Sequence, residues 1–100
     1  MTTIFKYVIP RQVTVIEMPV GAKLLHVTNQ HSHVTLWAEV DSDAKRGMEQ
    51  RKFYTVVTGG EVPPLATYCD TVLLDGGMFV VHVYEAMSGL GVAMTQGGGE

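Results

Sequence analysis

Seven short segments rich in β-branched and aromatic residues run through the first 86 residues, and turn-forming residues separate them. Such side chains fit the pleated surface of a β-strand, and runs of strong helix formers are nearly absent. Strands at this regular spacing are typical of a sandwich or barrel. We therefore predict an all-β fold, a small antiparallel β-sandwich or barrel of about seven strands. The predicted strands are residues 4–9, 12–18, 23–29, 33–40, 51–58, 66–74 and 78–86.

The fourth segment, HVTLWAEV, alternates most regularly between apolar and other side chains. A period of two places alternate residues on opposite faces of a strand. The face predicted to enter the core holds Val34, Leu36, Ala38 and Val40, and the opposite face holds His33, Thr35, Trp37 and Glu39. The second segment is apolar on both faces, which predicts cover from a second sheet or a partner chain. The seventh is also apolar on both faces, and we place it centrally.

Two short motifs predict tight turns. Pro19 fixes φ and Gly21 permits positive φ, a combination that suits a turn. Asp75-Gly76 suits the type I′ turn of a hairpin. We predict antiparallel hairpins between the third and fourth strands and between the sixth and seventh, with a charged loop at residues 41–50.

The chain is acidic and has few charges, with a net charge of −3 and 17% charged residues. Bulk nucleic-acid binding is not expected, because the densest basic stretch is interleaved with acids. The basic residues are Lys45, Arg46, Arg51 and Lys52, and the acids are Asp41, Asp43 and Glu49. Cys69 is the single cysteine and cannot form an intrachain disulfide. No secretory leader and no apolar run of membrane-spanning length is visible. A surface with so few charges favours a homo-oligomer, in which another copy covers part of it.

The chain divides into one β domain, residues 1–86, and a Gly/Met-rich tail or arm, residues 87–100. The tail by itself carries too little apolar surface to offset the entropy lost on ordering. We expect a neighbouring subunit to hold it if it is ordered.

Three histidines, His26, His31 and His33, fall within one predicted hairpin and are the only candidate metal ligands. Two imidazoles at i and i+2 on a strand can chelate zinc, but a site needs further ligands in fixed geometry. We expect exposed polar residues at the tip of the hairpin, and no metal or other cofactor.

Four residues are candidates for a binding surface or interface: Trp37, Tyr54, His82 and Tyr84. An outward tryptophan is expected to pack within the chain, anchor a subunit interface or contact a ligand. Tyr54 and Tyr84 are expected to join it on one face. His82 lies between Val81 and Val83, where a core or interface role is more common than that of a catalytic base.

No catalytic set emerges from the remaining motifs. The paired glycines lie between predicted strands, so they do not form a phosphate-binding loop before a helix. Cys69 has no basic neighbour to activate its thiol. We expect a protein that is not an enzyme, and the alternative is a metal-dependent activity at the three histidines of the hairpin.

Five stretches in order resemble a family of small phage and prophage proteins of unknown function: IFKY, MPVGAKLLHV, LWAEVD, RKFYTVVTGGEVP and DGGMFVVHVYE. They cover roughly residues 4–85, and their order and spacing are more specific than any one of them. Members often have Gly-Thr-Gly where this chain has Val57-Thr58-Gly59, and they usually end near the final Val-Tyr-Glu. The resemblance implies a bacteriophage origin and a β-rich fold, but no activity and no site residues.

These observations lead to two hypotheses on function. The first is a phage protein in the host cytoplasm that binds without catalysis, as a homo-oligomer that occupies a host or defence-system target, either a protein or a small signalling molecule. The alternative is a structural virion component, a decoration or connector protein that uses its tail as an arm between subunits.

Overall fold

The computed structural model describes residues 1–43 and 45–87, which form seven β-strands and one short 3₁₀ turn. Runs of β-branched and aromatic residues become strands because their side chains pack well on a pleated surface. The strands are β1 (Thr2–Val8), β2 (Val13–Pro19), β3 (Lys23–Gln30), β4 (His33–Asp41), β5 (Met48–Val57), β6 (Ala66–Leu74) and β7 (Phe79–Ala86). The predicted all-β fold is confirmed. Among the described residues, no helix is long and apolar enough to cross a membrane.

The strands form two antiparallel sheets that pack against each other as a sandwich. Sheet A has the strand order β1-β4-β3, and sheet B has the order β2-β5-β7-β6. The predicted hairpins β3–β4 and β6–β7 are confirmed, since each pair is antiparallel and adjacent. β7 lies inside sheet B between β5 and β6, in agreement with its apolar character on both faces.

The two hairpin turns use backbone conformations that L-residues rarely adopt. His31 and Ser32 form the β3–β4 turn with φ of 53° and 66°, the positive values that a type I′ turn requires. The β6–β7 connection also has positive φ at Asp75 and Gly76. It is longer than a two-residue type I′ turn, because Leu74 pairs with Phe79 and the residues between them form the loop.

The charged region before β5 is shorter than the loop predicted for residues 41–50. β5 begins at Met48 because its first residues pair with the end of β2, Met48 with Pro19 and Glu49 with Met18. This long-range pairing extends the strand into a polar stretch that has no strand-like pattern of its own. β7 ends at Ala86, and the predicted arm lies outside the described residues from position 88 onward.

The core lies between the inner faces of the two sheets. The four β4 residues predicted to enter the core, Val34, Leu36, Ala38 and Val40, are all buried, and Thr35 on the opposite face is buried as well. Sheet B contributes Met18, Phe53, Val72, Val81 and Val83 to the same cluster. Along one side, β3 and β6 are joined by hydrogen bonds from Val27 N to Asp70 Oδ2 (3.4 Å) and from Asn29 Nδ2 to the carbonyl of Leu73 (3.3 Å). The inward residues therefore meet in one apolar core, and the outward residues form two separate surfaces.

Candidate functional site

A row of tyrosines crosses the outer surface of sheet B. Tyr54 of β5 pairs with Tyr84 of β7, which pairs on its other side with Tyr68 of β6. Directly opposed residues in a sheet point to the same face, so the three phenol side chains lie side by side. We call Tyr54, Tyr84 and Tyr68 the tyrosine row. The sheet thereby brings together two of the predicted site residues, Tyr54 and Tyr84, with a third tyrosine.

The rings of the tyrosine row contact their neighbours in specific geometries. Tyr68 and Tyr84 pack edge to face, with ring centroids 5.6 Å apart and planes at 70°. The Nζ of Lys52 lies 5.5 Å from the centroid of the Tyr54 ring, within the range of a cation–π interaction.

His82 lies two residues before Tyr84 on the same face of β7. Hydroxyl groups contact both nitrogens of its ring. Its Nε2 is 2.9 Å from Oγ1 of Thr58, and its Nδ1 is 3.0 Å from Oγ1 of Thr71. The same Thr71 hydroxyl is 2.6 Å from the hydroxyl of Tyr68. A chain of hydrogen bonds therefore links the predicted site residue His82 to the tyrosine row and fixes its ring orientation.

Apolar side chains border the tyrosine row on both edges of sheet B. Val15 on β2 is 55% exposed, and Leu73, which lies beyond Thr71 on β6, is 57% exposed. Val13, which pairs with Tyr54, is exposed as well. We call the surface that carries these side chains and the tyrosine row, together with His82 and Thr71, the outer face of sheet B.

A shallow depression of about 210 Å³ lies at one end of this face, beside the loop after β5. It is lined by Val56, Val57, Thr58, Gly59, Gly60, Val62, His82 and Tyr84. Small-molecule pockets are commonly about 300–1,000 Å³. The depression is therefore smaller than a typical ligand pocket and is a local feature of a broad surface.

Trp37 is separated from the other predicted site residues. It lies in β4 of sheet A, between Lys6 of β1 and His26 of β3 in the cross-strand pairing. The Nζ of Lys6 is 5.6 Å from its ring centroid, and the indole is half-buried. The expectation that Tyr54 and Tyr84 join Trp37 on one face is wrong, because β4 and β5 belong to different sheets whose outer surfaces face opposite ways.

Comparison with known protein families shows to which family the chain belongs. The family described as "Domain of unknown function (DUF7352)" matches residues 1–90. The chain belongs to this family. No curated protein and no solved structure matches the DUF7352 chain. Family membership therefore supports an uncharacterised small domain and assigns no activity to any residue.

The three histidines of the β3–β4 hairpin do not converge in this DUF7352 domain. His31 and His33 lie at the exposed tip, where Nδ1 of His33 contacts the carbonyl of His31 at 2.8 Å. His26 pairs with Trp37, and His33 lies four residues before Trp37 on β4, roughly 13 Å from it at 3.3 Å per residue. Residues 1–43 and 45–87 contain no group of three or more His, Cys, Asp or Glu side chains placed to hold a metal ion.

A second polar cluster in the DUF7352 domain lies where β3 meets β6, and the sequence pattern did not reveal it. Nδ1 of His26 is 3.5 Å from Oδ2 of Asp70, beside a cavity of about 240 Å³ that Cys69 and Glu85 also line. Burial raises the pKa of the Cys69 thiol to about 11, so the thiol stays protonated near neutral pH.

The ion pair between Arg51 and Glu85 was also not predicted from the sequence, in which Arg51 belongs to a charged stretch. The available signal was the alternation of β5, which places Arg51 on the same face as Phe53.

Proposed function

We propose that this protein acts by binding another protein, without catalysis, through the outer face of sheet B. The observation that carries the proposal is the tyrosine row bordered by exposed aliphatic side chains. Exposed aromatic and aliphatic side chains gain free energy when a partner removes them from water. Tyrosine is also enriched among the residues that dominate binding energy at protein interfaces.

The shape and charge of the face favour a protein partner over a small signalling molecule. The surface is the broad side of a sheet, and the depression beside the loop after β5 is shallow. Lys52 is held against Tyr54, so the centre of the face presents aromatic rings with hydroxyl groups at their tips. Protein interfaces commonly have such an apolar centre with a polar rim.

The cellular setting that we propose is the cytoplasm of an infected host, where a bacteriophage protein would occupy a host or defence-system protein. The resemblance to phage and prophage proteins supports this setting. We also propose that the protein is a homo-oligomer, because so few of its residues are charged. The glycine-rich sequence after residue 87 favours a second candidate, a decoration or connector protein of the virion.

A capture experiment in infected cells tests the proposed surface. The tagged chain is compared with the double variant Tyr54→Ser, Tyr84→Ser and with the matched control Thr28→Ser, which alters the outer surface of sheet A. We expect the double variant to lose the captured protein, the control to keep it, and both variants to unfold at similar urea concentrations. Equal capture by the two variants would exclude the outer face of sheet B as the contact surface.

Mass spectrometry of purified particles separates the two candidates. Binding to a host or defence-system protein predicts that the chain is absent from the virion, or present only in traces. A copy number in fixed ratio to the capsid protein would instead establish the structural candidate.

A further inference from the structure

β1 is an edge strand whose hydrogen-bonding groups can be assigned individually. It pairs with β4 on one side only, in the part of the chain that the structure describes. The N–H of Ile9 bonds to the carbonyl of Val34, and the N–H of Ser42 bonds to the carbonyl of Met1, both at 2.8 Å. Antiparallel pairs alternate along a ladder, so the odd-numbered residues of β1 face β4. Thr2, Ile4, Lys6 and Val8 therefore direct their N–H and carbonyl groups toward the open edge.

The side chains of β1 leave this edge poorly protected against pairing. Ile4 on the outer surface is 58% exposed, and Phe5 on the inner face remains 41% exposed. Natural edge strands are usually blocked by charges, prolines or bulges, and β1 contains only one such device, Lys6. The Nζ of Lys6 is turned toward its own sheet, 2.8 Å from Oε1 of Gln30 and above the ring of Trp37.

We propose that β1 pairs antiparallel with β1 of a second copy of this chain, about a two-fold axis at Phe5. The proposal rests on the homo-oligomer part of the proposed function and is independent of the outer face of sheet B. The axis at Phe5 gives the register of greatest overlap, with Thr2 opposite Val8 and Ile4 opposite Lys6. The four residues that face the edge then form about eight hydrogen bonds between the copies. The two copies of sheet A become one continuous sheet.

The charges at the two ends of β1 are complementary in this arrangement. Asp41 and Asp43 lie beside Met1 at the start of the strand, where the amine of Met1 neutralises one of the two carboxylates. The exposed Arg11 follows the end of the strand. An antiparallel two-fold pair brings the basic end of one copy to the acidic end of the other, twice. The same operation places Lys6 opposite Ile4, so the pair avoids like-charge contacts.

The remaining edges are less suited to the same pairing. β3 and β6 are joined to each other through Asp70 and Asn29. The open edge of β2 carries the exposed carboxylate of Glu17 and ends at Pro19, which has no N–H to donate. β1 is therefore the edge whose four outward-facing positions carry no carboxylate and no proline.

Disulfide trapping tests the register directly. In the Cys69→Ala background, Phe5→Cys places two thiols at the axis in a non-hydrogen-bonded pair, whose Cα atoms are about 4.5 Å apart, within disulfide range. The matched control Ile4→Cys faces Lys6 of the other copy, so its thiols are too far apart to join. We expect mild oxidation to link Phe5→Cys at least roughly tenfold faster than Ile4→Cys. Equal rates would overturn the proposed register.

Light scattering on the unaltered chain, with Ile4→Pro as a second variant, separates the possible failures. Ile4→Pro removes an N–H that points away from β4, so the fold is kept while the pairing is lost. We expect a dimer for the unaltered chain and a monomer for Ile4→Pro. A monomer of the unaltered chain at about 100 µM would overturn both the β1 pairing and the homo-oligomer. A dimer that persists in Ile4→Pro would overturn the β1 pairing alone.

Discussion

Arg51 and Glu85 form a two-pronged ion pair inside the sandwich, on the inner face of sheet B. Nε of Arg51 is 2.6 Å from Oε2 of Glu85, and Nη2 is 3.0 Å from Oε1. Nη1 of Arg51 also donates to the carbonyl of Ala22 at 2.6 Å, which ties the pair to the turn between β2 and β3. The side chains are only 15% and 17% exposed. Glu85 raises the pKa of Arg51, so the guanidinium remains charged in the folded protein at all accessible pH values.

Removal of one partner should leave an unpaired charge in a largely apolar space. We expect Glu85→Ala to lower the free energy of unfolding by on the order of 3 kcal/mol, the cost typical of breaking a buried pair. The double variant Arg51→Met, Glu85→Leu should lose less than the single variant, because no charge stays buried. Urea unfolding followed by Trp37 fluorescence measures both. A double variant less stable than Glu85→Ala would contradict this expectation. It would mean that the buried unpaired charge of Arg51 is not the main cost of Glu85→Ala.

Phe53 and Tyr54 are neighbours on β5 that point to opposite faces, which makes them a matched test of the strand register. Phe53 is fully buried, and we expect Phe53→Ala to cost about 3–5 kcal/mol of stability through the cavity that it leaves. Tyr54→Ala alters the outer face and should cost about 1 kcal/mol or less. Chemical denaturation of both variants provides the comparison. Similar losses of stability in the two variants would mean that Phe53 and Tyr54 do not point to the inner and outer faces of sheet B.

Alkaline pH should destabilise the protein through Cys69. Burial raises the pKa of this thiol from 9.0 to about 11, and the carboxylate of Glu85 contributes to the increase. Below pH 9 the thiol is protonated in the folded and unfolded chains, and its contribution to stability is fully present. Between about pH 9 and pH 11 the unfolded chain loses the proton first, so the stability falls as the pH rises.

The control for this pH dependence is Cys69→Ala, which retains the lysines and tyrosines that also titrate in alkali. We expect the free energy of unfolding of the unaltered chain to fall more steeply than that of Cys69→Ala over this window. Parallel curves for the two proteins would show that the thiol is not shifted by the fold.

The loop between β6 and β7 offers a test of backbone strain. Gly76 has φ of 64° and ψ of 22°, a left-handed conformation that an L-residue with a Cβ atom adopts at a cost. No atom lies within 4 Å of a Cβ built there, so Gly76→Ala should destabilise by about 1 kcal/mol through conformation alone. Met78→Ala in the same loop has a right-handed backbone and an exposed side chain and should be neutral. Thermal unfolding of both variants measures the difference.

The strands themselves follow from the sequence to a large extent. The side chains of a strand repeat with a period of two, so the pattern can be recognised in nearby residues. The buried face of β4 could therefore be predicted from Val34, Leu36, Ala38 and Val40. The hairpins β3–β4 and β6–β7 are also local, because short turns fix the pairing of adjacent strands. The start of β5 at Met48 could not be predicted from the sequence, because only the pairing of β5 with β2 extends the strand to that residue.

The candidate site depends on strand order, which no local pattern contains. Tyr54, Tyr84 and Tyr68 become one row only because β5, β7 and β6 are adjacent in sheet B, and Trp37 is excluded because β4 belongs to sheet A. Arg51 and Glu85 likewise meet across 34 residues of chain. The sequence by itself determined most of each strand and the inward face of β4, since those are short-range properties. Only the tertiary structure decided which outward residues share a surface and which edge remains open, because strand order reflects the packing free energy of the whole chain.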